Sequence, residues 1–216
     1  MRTLALLHTT PVTVASMKAL AAQKAPGVRV INILDDSLLP DVMRAGQPTG
    51  EVRERLRAYA RSAVEAGAGV LMCCCSSVGE VVEALRDDLP VPFLRIDEPM
   101  AAEAVRLGER IGVIATVGTT LEPTASLIER AATRAGRTVQ VERVLVGGAY
   151  DALVAGRAEE HDALVTRALR GLLDRSDVVL LAQASMARLL PGLGAVPLPI
   201  LSSPESGLAR ALEVLG

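Results

Sequence analysis

Short runs of apolar, β-branched residues alternate along the whole chain with longer stretches of helical period, and this alternation restricts the fold more than any other feature. The runs fall at residues 3–7, 28–33, 70–74, 93–96, 110–115, 139–146, 178–181 and 198–201. Each is too short and too uniformly apolar for a surface strand, which predicts parallel strands joined by crossover helices and covered on both faces. Helix starts carry their own signals. Thr10 precedes Pro11, Asp97 precedes Glu98 and Pro99, Thr120 precedes Leu121 and Glu122, and Ser203 precedes Pro204 and Glu205, each setting a capping oxygen ahead of a proline or an acid. Residues 51–66 and 159–174 read as amphipathic helices with solvated charged faces, and His161, between Glu160 and Asp162, reads as solvent-facing with them.

The chain also divides into two similar halves. In the first, a strand runs into His8, Thr9, Thr10 and Pro11, and Cys75 with Ser76 and Ser77 closes a later strand 66 residues after Thr9. In the second, a strand runs into Thr116, Thr119 and Thr120, and Gln183 with Ala184 and Ser185 closes a later strand 67 residues after Thr116. The expected architecture is α/β, with two pseudo-symmetric lobes, each a parallel sheet flanked by helices, and an active-site cleft between them. Residues 1–98 plus 203–216 would form the first lobe, with Cys75, and residues 99–202 the second, with Thr116 and Gln183.

Composition narrows the function. Across 216 residues, 23 basic side chains stand against 25 acidic ones, so no basic surplus exists to neutralise a phosphate backbone or an anionic membrane. Phe93, Tyr59 and Tyr150 are the only aromatic residues, too few for base-stacking platforms or an aromatic cage. No nucleic-acid or membrane partner is expected. The segment 1–22 is interrupted by His8 and Pro11 and is too short to span a bilayer. The three cysteines, Cys73, Cys74 and Cys75, are contiguous and odd in number, which fits neither a disulfide framework nor a zinc spacing and points to a reduced, cytoplasmic protein.

In parallel sheets, ligands gather beyond the carboxyl ends of strands, where loop residues meet helix N-termini. Every turn just named presents Thr or Ser there, a combination of hydroxyls and backbone N–H groups that suits a small carboxylate. The candidate binding residues are Thr9, Thr10, Ser76, Ser77, Thr116, Thr119, Gln183, Ala184 and Ser185. Cys73 and Cys74 lie within a strand as small hydrophobes. Cys75 opens a helix, and from position alone it is either another packed thiol or a thiolate stabilised by the helix N-terminus. Asp35 and Asp36 follow the second strand, as ligands for a substrate ammonium or as turn residues. Gly147 and Gly148, near Tyr150, read as a tight turn without a dinucleotide-binding pattern.

Three segments carry a family resemblance. Leu71-Met-Cys-Cys-Cys75-Ser-Ser-Val-Gly79 resembles the strand-Cys-Asn-Thr turn of the aspartate/glutamate racemase superfamily, which includes hydantoin racemases, maleate isomerases and arylmalonate decarboxylases. Ile111-Gly-Val-Ile-Ala-Thr116-Val-Gly-Thr119 is similar to its Thr-x-x-Thr turn, and Val179-Leu-Leu-Ala-Gln183-Ala-Ser185-Met to the turn bearing its second catalytic cysteine. The resemblance spans nearly the whole chain. It implies a homodimer, a small carboxylate substrate, no metal or pyridoxal cofactor, and Cys75 as an acid/base at the carbon next to the carboxylate. Ser76, Ser77, Thr116 and Thr119 would bind the carboxylate and other polar groups. The chain departs from the pattern at Gln183, because a carboxamide has no proton-accepting state near neutral pH. His8 is then either the missing base or a hydrogen-bonded turn histidine. Racemisation or isomerisation is the expected activity. The alternatives are a one-sided decarboxylation, a covalent cis-trans isomerisation through Cys75 with His8 or Ser185 moving protons, and a carboxylate-binding protein without turnover.

Overall fold

The computed structural model describes residues 2–216. Strands β1 (Thr3–His8), β2 (Arg29–Leu34), β3 (Val70–Cys73) and β4 (Phe93–Arg95) form one parallel sheet in the order β2-β1-β3-β4. Helices α1 (Val14–Lys24), α2 (Leu38–Ala45), α3 (Gly50–Glu65) and α4 (Gly79–Leu85) connect them. After α5 (Glu98–Leu107), strands β5 (Arg110–Ala115), β6 (Gln140–Leu145), β7 (Val178–Leu181) and β8 (Ile200–Ser202) form a second parallel sheet in the order β6-β5-β7-β8. Its connections are α6 (Gly118–Arg134), α7 (Ala149–Val154), α8 (Ala158–Arg170) and a 3-10 segment, Ala184–Gly192, and the chain closes with α9 (Ser203–Leu215). By contacts the chain divides into two compact units, one running to Glu98 and joined by Pro204–Gly216, the other Pro99–Ser203.

Period-2 alternation sends each central strand's side chains to two covered faces. In the first unit Ala5, Leu7, Leu71, Cys73 and Phe93 pack with Leu38, Val42, Val52, Leu56, Ala60 and Val82 from α2, α3 and α4. Leu4, Leu6 and Met72, on the alternate positions, are buried as well. In the second unit Ile111, Val113, Val178 and Leu180 meet α5 and α6, while Ile114, Val179 and Leu181 meet Val165 and Leu169 of α8 and Met186. Helix α3 illustrates the local logic: the Thr49 hydroxyl accepts the Val52 N–H at 3.3 Å, and Val52, Leu56, Ala60 and Ala63 make one buried stripe.

Three expectations need correcting. The edge strands β2 and β6 are half-buried or exposed along their length and the edge strand β8 is half-buried throughout, so these three are not covered as the apolar runs predicted, whereas the edge strand β4 keeps Phe93 and Arg95 buried. Thr120 does not cap a helix: α6 begins two residues earlier, at Gly118, after Val117 in extended backbone. His161 is fully buried, since it shares a stripe with Val165 and Leu169 at i, i+4 and i+8, a spacing that outweighs its charged neighbours. Gly148, at φ +74°, makes the left-handed turn ahead of α7, so the glycine pair is a turn.

Candidate active site

The two sheets end in matching ways. Beyond β3, the Cys74 N–H donates to Leu7 O at 2.8 Å; beyond β7, the Ala182 N–H donates to Ile114 O at 2.9 Å. This register makes Cys75 and Gln183 equivalent positions, and likewise Thr9 and Thr116. Each of the first two stands two residues beyond its strand, in extended backbone, and opens a 3-10 segment, Ser76–Val78 after Cys75 and Ala184–Gly192 after Gln183.

Around Cys75, the side chains of Thr9 and Ser77 and the backbone N–H groups of Ser77 and Val78 act to stabilise a thiolate. The Thr9 hydroxyl is buried and has no settled partner in the resting fold, so it is available to a charged sulfur. Burial acts the other way and outweighs these donors, so the Cys75 thiol lies above its ordinary range. Of the two readings of Cys75, burial favours the protonated form, a partly buried thiol ringed by donors. Cys73 and Cys74 are buried and pushed higher still by desolvation, in keeping with packing roles.

At the matching position, Gln183 Oε1 accepts from the Thr116 backbone N–H at 2.6 Å and from its hydroxyl at 2.9 Å. Two donors converging on one atom fix the carboxamide's orientation, leaving the Nε2 hydrogens as what this side chain offers. Thr119 Oγ1, at the second residue of α6, is buried without a hydrogen-bond partner. Ala184 and Ser185 are half-buried in the segment that follows.

Other residues singled out from the sequence are held within the fold. His8 is 2% exposed, with Nδ1 at 2.9 Å from Thr13 Oγ1 and Nε2 at 3.1 Å from Asn32 Oδ1. Desolvation lowers its pKa and keeps it neutral, with both nitrogens engaged. The Thr10 hydroxyl accepts from the Val12 N–H at 3.5 Å and caps the turn at Pro11. Asp35 accepts from the Ser37 N–H and hydroxyl, from Tyr59 and from Arg55, which hold it at about 2 despite burial; it serves the turn. Asp36 is exposed. His161 Nδ1 lies 2.8 Å from Asp162 Oδ1 and 3.1 Å from Arg188 Nη2, anchoring the 184–192 segment to α8. Among the described residues no group of three or more His, Cys, Asp or Glu could hold a metal ion, and no helix is long and apolar enough to cross a membrane.

The sequence reading missed a buried pair beneath the cysteine turn. Arg95 reaches Asp97 through Nε at 2.9 Å and Nη2 at 2.8 Å, and reaches Glu83 at 2.5 Å. Both members of the Arg95–Asp97 pair are buried, and the Ser76 side chain hydrogen-bonds Asp97. The signal was present in an Arg and an Asp flanking Ile96 at the end of an otherwise apolar strand.

A duplicated parallel α/β unit with a donor-ringed thiol in one half and a pinned carboxamide in the other defines a class of two-lobed racemase-type fold. The chain belongs to the Asp/Glu/Hydantoin racemase family, which it matches over residues 7–211. It is 35% identical over 98 residues to a glutamate racemase of Gloeothece citriformis, a match covering 45% of this chain and 34% of that protein. Its fold is shared with glutamate racemase from Francisella tularensis in complex with D-glutamate (TM-score 0.78, 13% identity, covering 99% of this chain and 80% of that one). Aspartate racemase from Picrophilus torridus also shares it (0.76, 10%, covering 100% and 95%). So does allantoin racemase from Klebsiella pneumoniae (0.71, 15%, covering 100% and 88%).

Proposed function

We propose that this protein is an acid/base enzyme acting at the carbon next to the carboxylate of a small amino acid or related acid, with Cys75 as the group that moves the proton. Family membership supports a racemase-type enzyme. The observation that carries the residue assignment is the cluster of donors around Cys75 at the end of β3, set against a carboxamide at the equivalent position after β7. Once the resting thiol has given its proton to solvent, the Cys75 thiolate accepts the α-proton and the electron pair moves into the carboxylate to give an enediolate; return of that proton to the same face restores the starting acid, whereas a proton from solvent on the opposite face gives its enantiomer and leaves Cys75 as the thiol. Hydroxyls and backbone N–H groups of the Thr and Ser turns would stabilise the enediolate's oxygens. The substrate is small and aliphatic, because the chain contains only Phe93, Tyr59 and Tyr150 to meet a larger aromatic group.

A second reading is favoured by the same asymmetry. Gln183 cannot accept a proton, and the resting Cys75 is a protonated thiol, a proton donor. Loss of CO2 from a small malonate would generate the enediolate without a base, and Cys75 would then protonate one face of it.

Incubating the protein in D2O with amino acids, hydroxy acids and substituted malonates separates the readings. Deuterium at the α-carbon with loss of optical purity supports racemisation. CO2 with a single product enantiomer supports decarboxylation. Neither exchange nor CO2 across the panel would overturn both and leave a carboxylate-binding protein. Cys75→Ser is expected to slow whichever reaction is found by about 10²–10⁴-fold while the protein stays folded.

A further inference from the structure

The Arg95–Asp97 pair is the one place where the first unit invests in buried charge next to its candidate catalytic turn. The β3–β4 register sets Cys73 opposite Arg95, so Asp97 stands two residues further on, level with Cys75. The second unit repeats the strands without the charges: Leu181 pairs with Ser202, so Ser202 occupies the place of Arg95, in the half where Gln183 replaces the thiol. Taking two charges out of water is costly, and such a pair adds little stability over apolar packing of the same volume. Its benefit has to lie in geometry.

The geometry is tightly specified. The guanidinium is forked onto Asp97 and extended to Glu83 of α4, and it lies against the first residue of that helix: a Cβ on Gly79 would fall 2.3 Å from Arg95 Cζ and 2.4 Å from Nε. A side chain at Gly79 would therefore push the guanidinium away from Asp97 and Glu83. Asp97 in turn holds the Ser76 side chain, the first residue of the turn whose next two members, Ser77 and Val78, direct N–H groups at Cys75.

We propose that Arg95, Asp97 and Gly79 form a positioning clamp that sets the 76–78 turn, by way of the Ser76 hydroxyl, so that the Ser77 and Val78 N–H groups face the Cys75 sulfur. The clamp touches no substrate, and its value to catalysis rests on the reading of Cys75 as the acid/base.

The test uses the full chain and needs no substrate. The rate at which iodoacetamide alkylates Cys75 is followed against pH, with the modified cysteine located by fragment mass spectrometry and folding checked by circular dichroism. Ser76→Ala breaks the link while leaving the ion pair, and Asp97→Asn breaks the pair. Each is expected to move the profile to higher pH by about one unit, which slows alkylation at pH 7 about tenfold. Arg57→Gln, which removes a surface pairing with Glu54 and Asp88 in the same unit, is expected to leave the profile in place. The sign separates positioning from simple electrostatics, since removing a nearby negative charge would by itself move the profile to lower pH. A downward shift in Asp97→Asn, or a wild-type profile in folded Ser76→Ala, would overturn the clamp; if Asp97→Asn does not fold, Ser76→Ala decides. Loss of α-deuterium exchange in Cys75→Ala tests the acid/base reading separately, so the two can fail independently.

Discussion

A thiol and a carboxamide at equivalent points of a repeated unit make different offers to a substrate. In the proposed reaction Cys75 is the group that moves the proton. Gln183 holds one shape, because the Thr116 N–H and hydroxyl both end on its Oε1. Gln183→Glu tests what that shape is for. A carboxylate accepts the same two donors, so the fold is expected to persist, but the Nε2 hydrogens are gone and a negative charge takes their place. For a carboxylate substrate KM is expected to rise about tenfold or more, with a smaller change in thermal stability; an unchanged KM would remove Gln183 from the binding residues. Much of this was open to reading from the residues. Cys75 and Gln183 stand out through the spacing from their threonines. The pinning of Gln183 is not legible, because it depends on where Thr116 lies once β5 and β7 have paired. The Arg95–Asp97 pair was hidden for a related reason: only the β3–β4 register sets it beside the cysteine turn.

At the level of elements, the strands deliver the site and the helices hold the strands. Helix α3 carries a capping Thr49 and a stripe of four buried residues on an otherwise charged segment. Leu56→Ala is expected to cost about 2–5 kcal/mol in urea unfolding and Thr49→Ala about 1 kcal/mol, with the Cys75 alkylation profile unchanged in both. Helix placement was readable wherever apolar spacing and a cap agreed, as in α3. It failed where charge and spacing disagreed. The neighbours of His161 are acidic, yet the i, i+4, i+8 stripe turns its ring inward, where Asp162 and Arg188 meet it. It failed again at α6, where the helix opens on a bare glycine before the threonine that looked like its cap.

For the molecule as a whole, the buried titratable groups predict how stability responds to acid. Burial holds the His8 pKa below its ordinary 6.5. Between the folded value and 6.5 the unfolded chain binds more protons than the native one, so stability rises with pH through that window and is fully present above it. Asp35, held at about 2, and Asp97, held low by Arg95, act at lower pH: their contribution is complete above the ordinary carboxylate value of 3.8 and is lost as pH falls through the folded values. Urea unfolding is expected to weaken in two steps on the acid side. His8→Gln should remove the upper step and leave the lower, and a wild-type slope just below pH 6.5 in that variant would contradict the assignment.

The amino-acid sequence by itself determined the class of fold and singled out the candidate site residues. Periodicity is local, so eight apolar runs between amphipathic segments specify parallel α/β units, and the matching Thr-to-Cys and Thr-to-Gln separations mark where the strands of each unit end together. The tertiary structure decided what the site residues are able to do. Protonation, orientation and partnership depend on which atoms lie within about 3 Å, and those neighbours come from distant segments. Burial raises the Cys75 thiol against the donors around it, strand pairing commits the Gln183 oxygen to Thr116, hydrogen bonds occupy both nitrogens of His8, and register puts a buried ion pair under the one turn that carries a candidate acid/base.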